Sequence, residues 1–482
     1  MGKNRRVLYE ATKSKFKANW NMIESIALSS SFRDPGGFVF EREGILYRQV
    51  NKGFSKDIDL LLRSGLHDEL VSRGLVVNFA KASSDLAANS LSEMVLQPER
   101  VDTISYPHEW CFSQLKDAAL LTLEIMSLAI GKEMILKDAS AYNIQFVGSR
   151  PVFIDTLSFV GYEEGKPWIA YKQFCQHFLA PLALMAKVDI RLSSLLQSNL
   201  DGIPLDLALK LLPLKSKLSP GLFAHLHLHA IAQSRSGQMR RAEKVPTVTK
   251  TGILALVDSL CSTIEKLTWR ATGTEWGDYY LSTNYSAESF VNKGLLVESY
   301  LDMLPPTVRT CCDLGANNGE FSQFAVNKGH KVIALDVDPA AVEKCYIRTK
   351  SSPVRTLLPL LQDLRNPTPN YGWAGEERDS MVDRFSCGVV LALALVHHLA
   401  IGNNVPLPKI ADYFSKIGEW LIVEFVPKED SQIQRMLVAR QDIFLNYHVE
   451  GFELAFGNRF KIVEKQAVVG TSRIVYLMRR NA

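Results

Sequence analysis

Seven residues, Asp313-Leu-Gly-Ala-Asn-Asn-Gly319, combine a carboxylate, two glycines and two asparagines between the apolar run Val308 to Cys312 and the helix-like run Glu320 to Lys328. Gly315 and Gly319 can take positive φ and let the backbone approach a ligand closely. The N–H groups of the first helical turn then lie open to an acceptor. Asn317 stands where a middle glycine would, and Asn is the natural non-Gly occupant of a left-handed turn position. The run Lys331-Val-Ile-Ala-Leu-Asp336 is a second strand ending in a carboxylate, at the distance where strand-turn-helix folds place the acid that grips ribose hydroxyls. A strand, a tight turn, a helix start and a downstream acid together imply an adenosine-type ligand.

The pattern Asp-x-Gly-x-x-x-Gly resembles motif I of class I S-adenosylmethionine (SAM) methyltransferases rather than the dinucleotide fingerprint Gly-x-Gly-x-x-Gly. Asp313, Gly315, Asn317 and Gly319 fall on that motif, and Asp336 falls on the family's ribose-binding acid. Gln362-Asp363, after the apolar stretch Leu357 to Leu361, matches the acid that accepts from the adenine amino group, and Val389 to Leu399 looks like the fourth strand and the segment beyond it. The resemblance implies SAM as cofactor, bound by Asp313, Gly315, Asn317, Gly319, Asp336 and Asp363. It also implies an α/β, Rossmann-like sheet, mostly parallel with an antiparallel last strand and helices on both faces. Trp420 to Val426 is a further apolar strand, and Phe460-Lys-Ile-Val and Arg473 to Met478 form the expected terminal hairpin. Between helices expected over Ile253–Trp269 and Ser289–Met303 lies an aromatic, poorly periodic segment. Its Trp276, Tyr279, Tyr280 and Tyr285 would either cover the cofactor, Tyr285 among the direct contacts, or pack the helix pair onto the sheet.

Methyl transfer from a sulfonium is an in-line displacement, so the protein must position the acceptor and remove its proton when it is a hydroxyl or an acidic N–H. His397 and His398, just past the fourth strand, sit at the carboxyl edge of a parallel sheet, and Glu424 near the end of the fifth strand is the next candidate. The competing role for the His pair is packing at the strand-helix junction. The Asn-Pro-Pro-Tyr motif of amino-methylating nucleic-acid enzymes is replaced by Leu393-Ala-Leu-Val. O- or N-methylation of a small-molecule or glycan-type acceptor is therefore expected, with no nucleic acid as partner.

These elements occupy only the second half of a 482-residue chain, which exceeds what one core usually serves. A basic, breaker-containing segment from Gln233 to Pro246 suggests a division into an accessory domain over 1–235, a linker over 236–250 and a SAM-dependent methyltransferase domain over 251–482. In the first half, Lys137-Asp138-Ala-Ser-Ala-Tyr-Asn143 precedes a short hairpin that ends in Asp155. That order resembles the catalytic loop and metal-binding Asp of the protein-kinase-like fold, and the helix candidate Ser113 to Ile130 stands where that topology needs it. Leu136-Lys137 and Thr156-Leu157 depart from the kinase flanks. The hairpin candidate Phe38 to Arg48 offers Arg48 in place of the phosphate-binding Lys. A kinase-like region without phosphate transfer is expected; alternatively Asp138 and Asn143 are turn and cap residues.

The whole arrangement, with Val423-Glu-Phe-Val-Pro-Lys-Glu-Asp-Ser, resembles bacterial two-part SAM methyltransferases that include nodulation-type host-specificity proteins. Two rival functions stand beside methyl transfer: a bifunctional protein with a Mg²⁺-nucleotide phosphotransferase site, and a SAM-binding regulator without turnover. A net charge of +4, 47% apolar and 22% charged residues describe an ordinary globular protein and give no argument for nucleic acid. Seven Cys without a Cys-x-x-Cys pair, and His225, His227 and His229 scattered around a helix, imply no metal site and a reduced, cytoplasmic setting. Gly2 lacks the residues of a lipidation motif, and the apolar stretches Ala118–Ile130 and Leu205–Leu214 are too short or too interrupted for a membrane.

Overall fold

The computed structural model describes residues 27–228, 247–277, 286–438 and 441–481. Tyr279, Tyr280, Tyr285, His229 and most of the expected linker lie outside the described residues.

Strands β1 (Gly37–Arg42), β2 (Ile45–Asn51), β3 (Phe79–Lys81) and β4 (Ser92–Pro98) form an antiparallel sheet in the order β1-β2-β4-β3. Helices α1 (Ser55–Arg63) and α2 (Leu66–Ser72) fill the connection between β2 and β3. Helix α3 (Phe112–Gly131) is apolar around most of its circumference, as a helix surrounded by protein must be, and Leu115, Ala118, Ala119, Leu123, Ile125 and Ile130 are all buried. After it come β5 (Met134–Leu136), β6 (Ile144–Val147), β7 (Arg150–Phe153) and β8 (Phe159–Gly161), with β6 paired to β7 and β5 to β8. The chain then runs through short helical pieces to α4 (Lys250–Glu265), which packs along α3, so the first helix beyond the expected linker sits on the first half.

Helix α5 (Ala287–Asp302) leads into the second sheet, which holds β9 (Thr310–Leu314), β10 (Lys331–Asp336), β11 (Leu357–Leu361), β12 (Cys387–Ala392), β13 (Gly418–Phe425), β14 (Phe460–Ala467) and β15 (Ile474–Arg480). Their order is β11-β10-β9-β12-β13-β15-β14, with the first five parallel and β15 antiparallel to both neighbours. The mostly parallel sheet with an antiparallel terminal hairpin is the expected Rossmann-like architecture. Crossover helices α6 (Glu320–Asn327), α7 (Pro339–Lys350) and α8 (Leu407–Ile417) bury the strands on both faces.

Because side chains alternate along a strand, adjacent Cys311 and Cys312 enter different cores. Cys311, Ala334, Leu391 and Ile422 pack beneath α5. Cys312, Leu335, Val390 and Leu421 join a cluster that continues into Leu115, Ala118 and Phe146 of the first half. One sheet face is thus covered by the first half of the chain. The seam is also polar: Ser113 N–H donates to Glu343 on α7 (3.0 Å), Gln114 donates to the Pro359 carbonyl (3.0 Å), and Tyr346 donates to Asp117 (2.6 Å).

Candidate functional site

In an open parallel sheet the crevice opens at the carboxyl edge where the winding reverses, here between β9 and β12. A cavity of about 390 Å³ lies there, lined by Asp313, Gly315, Asn317, Asp336, Asp363 and His398, among others. The turn after β9 has the conformation its residues predict. Gly315 and Gly319 have φ of +73° and +80°, and Asn317 has φ of +51°. A Cβ on Gly319 would lie 2.6 Å from the Cys345 sulfur, so close packing of turn against α7 requires glycine there. Gly319 itself does not line the cavity; it holds the turn.

All five backbone N–H groups of the turn have partners inside the protein. Those of Gly315 and Ala316 donate to the Leu335 carbonyl (2.8 and 3.0 Å), and that of Gly319 to the Ala316 carbonyl (2.9 Å). Asn318 N–H donates to the Asn317 side chain (2.8 Å), and Asn317 N–H to Asp336 Oδ2 (2.7 Å). A phosphate cradle leaves such N–H groups turned to the ligand. This turn instead presents close backbone, with the buried carboxylates of Asp313 and Asp336 at the cavity.

Asp336 Oδ1 accepts from Asp338 N–H (2.8 Å), which leaves lone pairs on both oxygens for further donors. Burial raises its carboxyl to about 6 against the pull of those backbone donors. Burial likewise lifts Asp313 to about 7, although Ser322 donates to it at 2.6 Å. Asp363 differs. Burial would raise it, but Arg365 holds it below the usual carboxylate range through four contacts: N–H and Nε on Oδ1 (2.9 and 2.8 Å), and Nε and Nη2 on Oδ2 (3.1 and 2.8 Å). Trp276 is tied over the turn: its N–H donates to Asp338 (2.7 Å), and its carbonyl accepts from the Asn317 side chain (2.9 Å).

The three candidate bases separate. His398 lines the cavity, with its ring edge-on to Trp276 at 5.0 Å, and burial followed by the nearby Arg473 lowers its pKa to about 4. His397, 4.1 Å from it ring to ring, is buried off the cavity, and its Nδ1 has no hydrogen-bond partner. Glu424 is also off the cavity. It accepts from Lys293 Nζ (2.6 Å) and Ala394 N–H (2.7 Å), lies 3.6 Å from Arg473, and is fully buried. That carboxylate therefore balances buried cations and holds Ala394 at φ of +51°, a strained non-Gly conformation directly at the cavity.

Sequence reasoning missed Lys293, which lines the cavity with its ammonium 4.6 Å from the Phe321 ring centroid. Its signal was present: in α5 it shares the inward face with Phe290, Leu296 and Val297, where a lone Lys needs a partner. Arg365 was missed as well, two residues beyond the acid it neutralises.

In the first half, Asp155 is bonded by Arg48 on Oδ1 and by Ser158 Oγ on Oδ2 (2.5 Å), while Asn143 donates to the same Ser158 oxygen (3.2 Å). Burial would raise the Asp155 carboxyl; Arg48 and Ser158 outweigh it and hold it low. Asp138 accepts from Ser140 N–H (2.8 Å) within its own loop. Among the described residues no three His, Cys, Asp or Glu side chains cluster as a metal site. His225 is satisfied by Tyr171 (2.8 Å) and Ser259 (2.9 Å), and His227 by Ser216 (3.1 Å).

The second sheet defines a Rossmann-like protein with its cavity at the carboxyl edge of the parallel strands. The chain belongs to the family of the nodulation protein NoeA of Rhizobium meliloti (strain 1021), to which it is 36% identical over 465 residues, 94% of this chain and 96% of that protein. No family model matches the chain. Solved structures similar to it include WbdD (10% identity, 42% of each chain, TM-score 0.31), so the chain spans less than half of that protein. Magnesium protoporphyrin IX methyltransferase ChlM from Synechocystis PCC 6803, solved with bound SAH, aligns over 42% of this chain and 92% of its own (16% identity, TM-score 0.30). The N-methyltransferase NodS from Bradyrhizobium japonicum WM9, also with SAH, aligns over 42% and 96% (13% identity, TM-score 0.31). Among the described residues no helix is long and apolar enough to cross a membrane.

Proposed function

We propose that this protein is a SAM-dependent methyltransferase that acts on a small-molecule or glycan-type acceptor by O- or N-methylation. The observation that carries the reading is the turn whose N–H groups are all spent internally while Asp336 keeps acceptor sites open to the cavity. Such a site suits a nucleoside without phosphates. Asp336 would accept from the ribose hydroxyls, Gly315 and Asn317 would let the adenosine lie against the backbone, and Asp313 and Lys293 would face the charged amino-acid end of the ligand. When bound, the cofactor supplies an electrophilic methyl group. His398, held neutral and cavity-facing, is the group placed to take a proton from the acceptor.

The first half we assign to acceptor selection, without phosphate transfer. The order hairpin, two helices, long α3, Asp138 loop, β6-β7 hairpin and Asp155 supports a kinase-like ancestry, and the Arg48 and Ser158 contacts on Asp155 argue against a Mg²⁺-nucleotide site. Losing one acceptor to a buried donor pair costs about 1.5–3 kcal/mol. Asp336→Ala should therefore weaken SAM binding, read by calorimetry on the full chain, by roughly one to two decades. Wild-type affinity in that variant would sink the assignment.

A further inference from the structure

One stretch of the first half, away from the cavity, turns large apolar side chains to solvent. Leu214 and Leu218 are 80% and 83% exposed, and Phe223 is 38% exposed. Single exposed leucines are ordinary on a protein surface and need no explanation. These three instead fall within ten residues, accompanied by Lys210, Lys215 and Lys217, which are exposed as well, and no acid interrupts the run from Lys210 to Phe223.

The local structure sets these side chains outward. Leu214–Leu218 is a short 3₁₀ helix between Pro213 and Pro220, whose rings fix the backbone on either side. Ser216 is its one buried residue. The Ser216 hydroxyl lies 3.1 Å from His227 Nε2, and the His227 ring stacks on that of Phe223 with centroids 6.0 Å apart, so the helix is pinned beside Phe223. With three residues per turn, positions three apart eclipse: Leu214 stands with Lys217, and Lys215 with Leu218. Each exposed leucine thus has a lysine beside it. That pairing suits a bilayer boundary, where an apolar tip enters the acyl region while a lysine stem lies along it and leaves the ammonium among the headgroups.

Charge names the kind of bilayer. From Lys210 to Pro246 the sequence carries seven cations, Lys210, Lys215, Lys217, Arg235, Arg240, Arg241 and Lys244, against the single acid Glu243, a net of +6. The whole chain carries only +4, so the rest of it is net negative and the positive charge is concentrated around this patch. A nucleic acid or an acidic protein would be met by the lysines alone and gives Leu214 and Leu218 no role. We propose that the surface built by Leu214, Leu218, Phe223 and the three lysines docks the protein on an anionic phospholipid bilayer. The protein lies on that surface and does not cross it.

The test is flotation of the full chain with vesicles of phosphatidylcholine alone and of phosphatidylcholine mixed with phosphatidylglycerol. Wild type is expected to float with the mixed vesicles only, and less so as salt screens the attraction. Lys215→Gln with Lys217→Gln should weaken binding by about tenfold or more, since each such cation contributes roughly fivefold near an anionic surface. Leu214→Ser with Leu218→Ser should weaken it by about tenfold or more while the remaining binding keeps its salt dependence. Both pairs should keep the wild-type melting temperature, because all four side chains are exposed. Wild type that ignores the mixed vesicles, or binds phosphatidylcholine alone equally well, overturns the inference. So does a leucine variant that binds like wild type, which would reduce the patch to a basic segment that attracts any polyanion.

Discussion

Two loops of this molecule follow a strand and carry an Asp and an Asn within a few residues, and they end in different chemical states. At Asp313–Gly319 the backbone N–H groups are satisfied inside the protein, by the turn, the Leu335 carbonyl and Asp336, and the carboxylates of Asp313 and Asp336 line a cavity with raised pKa values. At Lys137–Asn143 the nearby Asp155 is bonded by Arg48 and Ser158, and Asn143 joins the same cluster. An acid that keeps open acceptor sites in a low-dielectric crevice is poised for a ligand; an acid already matched by an arginine is part of the fold.

The largest effect that sharpens this contrast is on turnover. If His398 is the base, His398→Ala should lower kcat by roughly 10²–10⁴-fold with SAM affinity nearly intact. The acid limb of the wild-type rate profile should then fall near pH 4 rather than 6.5, because burial lowers its pKa. Equal loss of affinity and turnover would make the residue structural.

Next in size is the loss of a buried charge. Glu424→Ala leaves Lys293 and Arg473 without that carboxylate and should destabilise the fold by about 3–5 kcal/mol, measured by denaturant unfolding. An unchanged midpoint would contradict the structural role given to Glu424.

The raised acids predict a pH effect of definite sign. Folding raises the Asp336 and Asp313 pKa values to about 6 and 7 from the ordinary carboxylate range near 4, so the native ligand-free state binds more protons than the unfolded state between these limits. Their contribution to stability is present below about pH 4 and is lost as pH rises through 6 to 7. A ligand that donates to the ionised carboxylates binds better in the same interval, so SAM affinity should rise between pH 5 and 8 with release of protons. Calorimetry in buffers of different ionisation enthalpy checks this, and proton uptake on binding would break it.

The smallest expected effect is in the first half. Mg²⁺-ATP should leave the melting temperature of the full chain unchanged, with no ATP hydrolysis, since Arg48 already occupies Asp155. Hydrolysis that disappears in Asp155→Ala would erase the difference between the two loops.

How far the chain's letters reached is visible element by element. Strands β10 and β11 begin and end where their apolar runs do, and Gly315, Asn317 and Gly319 adopt the positive φ that their residue types allow. The roles of Glu424 and Asp363 were not legible. Nothing local distinguishes a strand-end Glu that meets Lys293, 131 positions away, from one that meets a substrate. Asp363 looked open because its spacing matches an adenine-binding acid, and its neighbour Arg365 closes on it only in the folded loop.

By itself the sequence determined what depends on short range: strand-turn-helix order, the left-handed turn, and an acid at the end of the next strand. These follow from steric limits on φ and from side-chain alternation, both of which act within a few residues. Only the tertiary structure decided which carboxylates stay open and which are neutralised, that the first half of the chain covers one face of the sheet, and that Glu109 and Thr368 reach Gln362 at the cavity wall. Burial and ion pairing set those states, and both depend on residues far apart in the chain that meet only when the two halves pack.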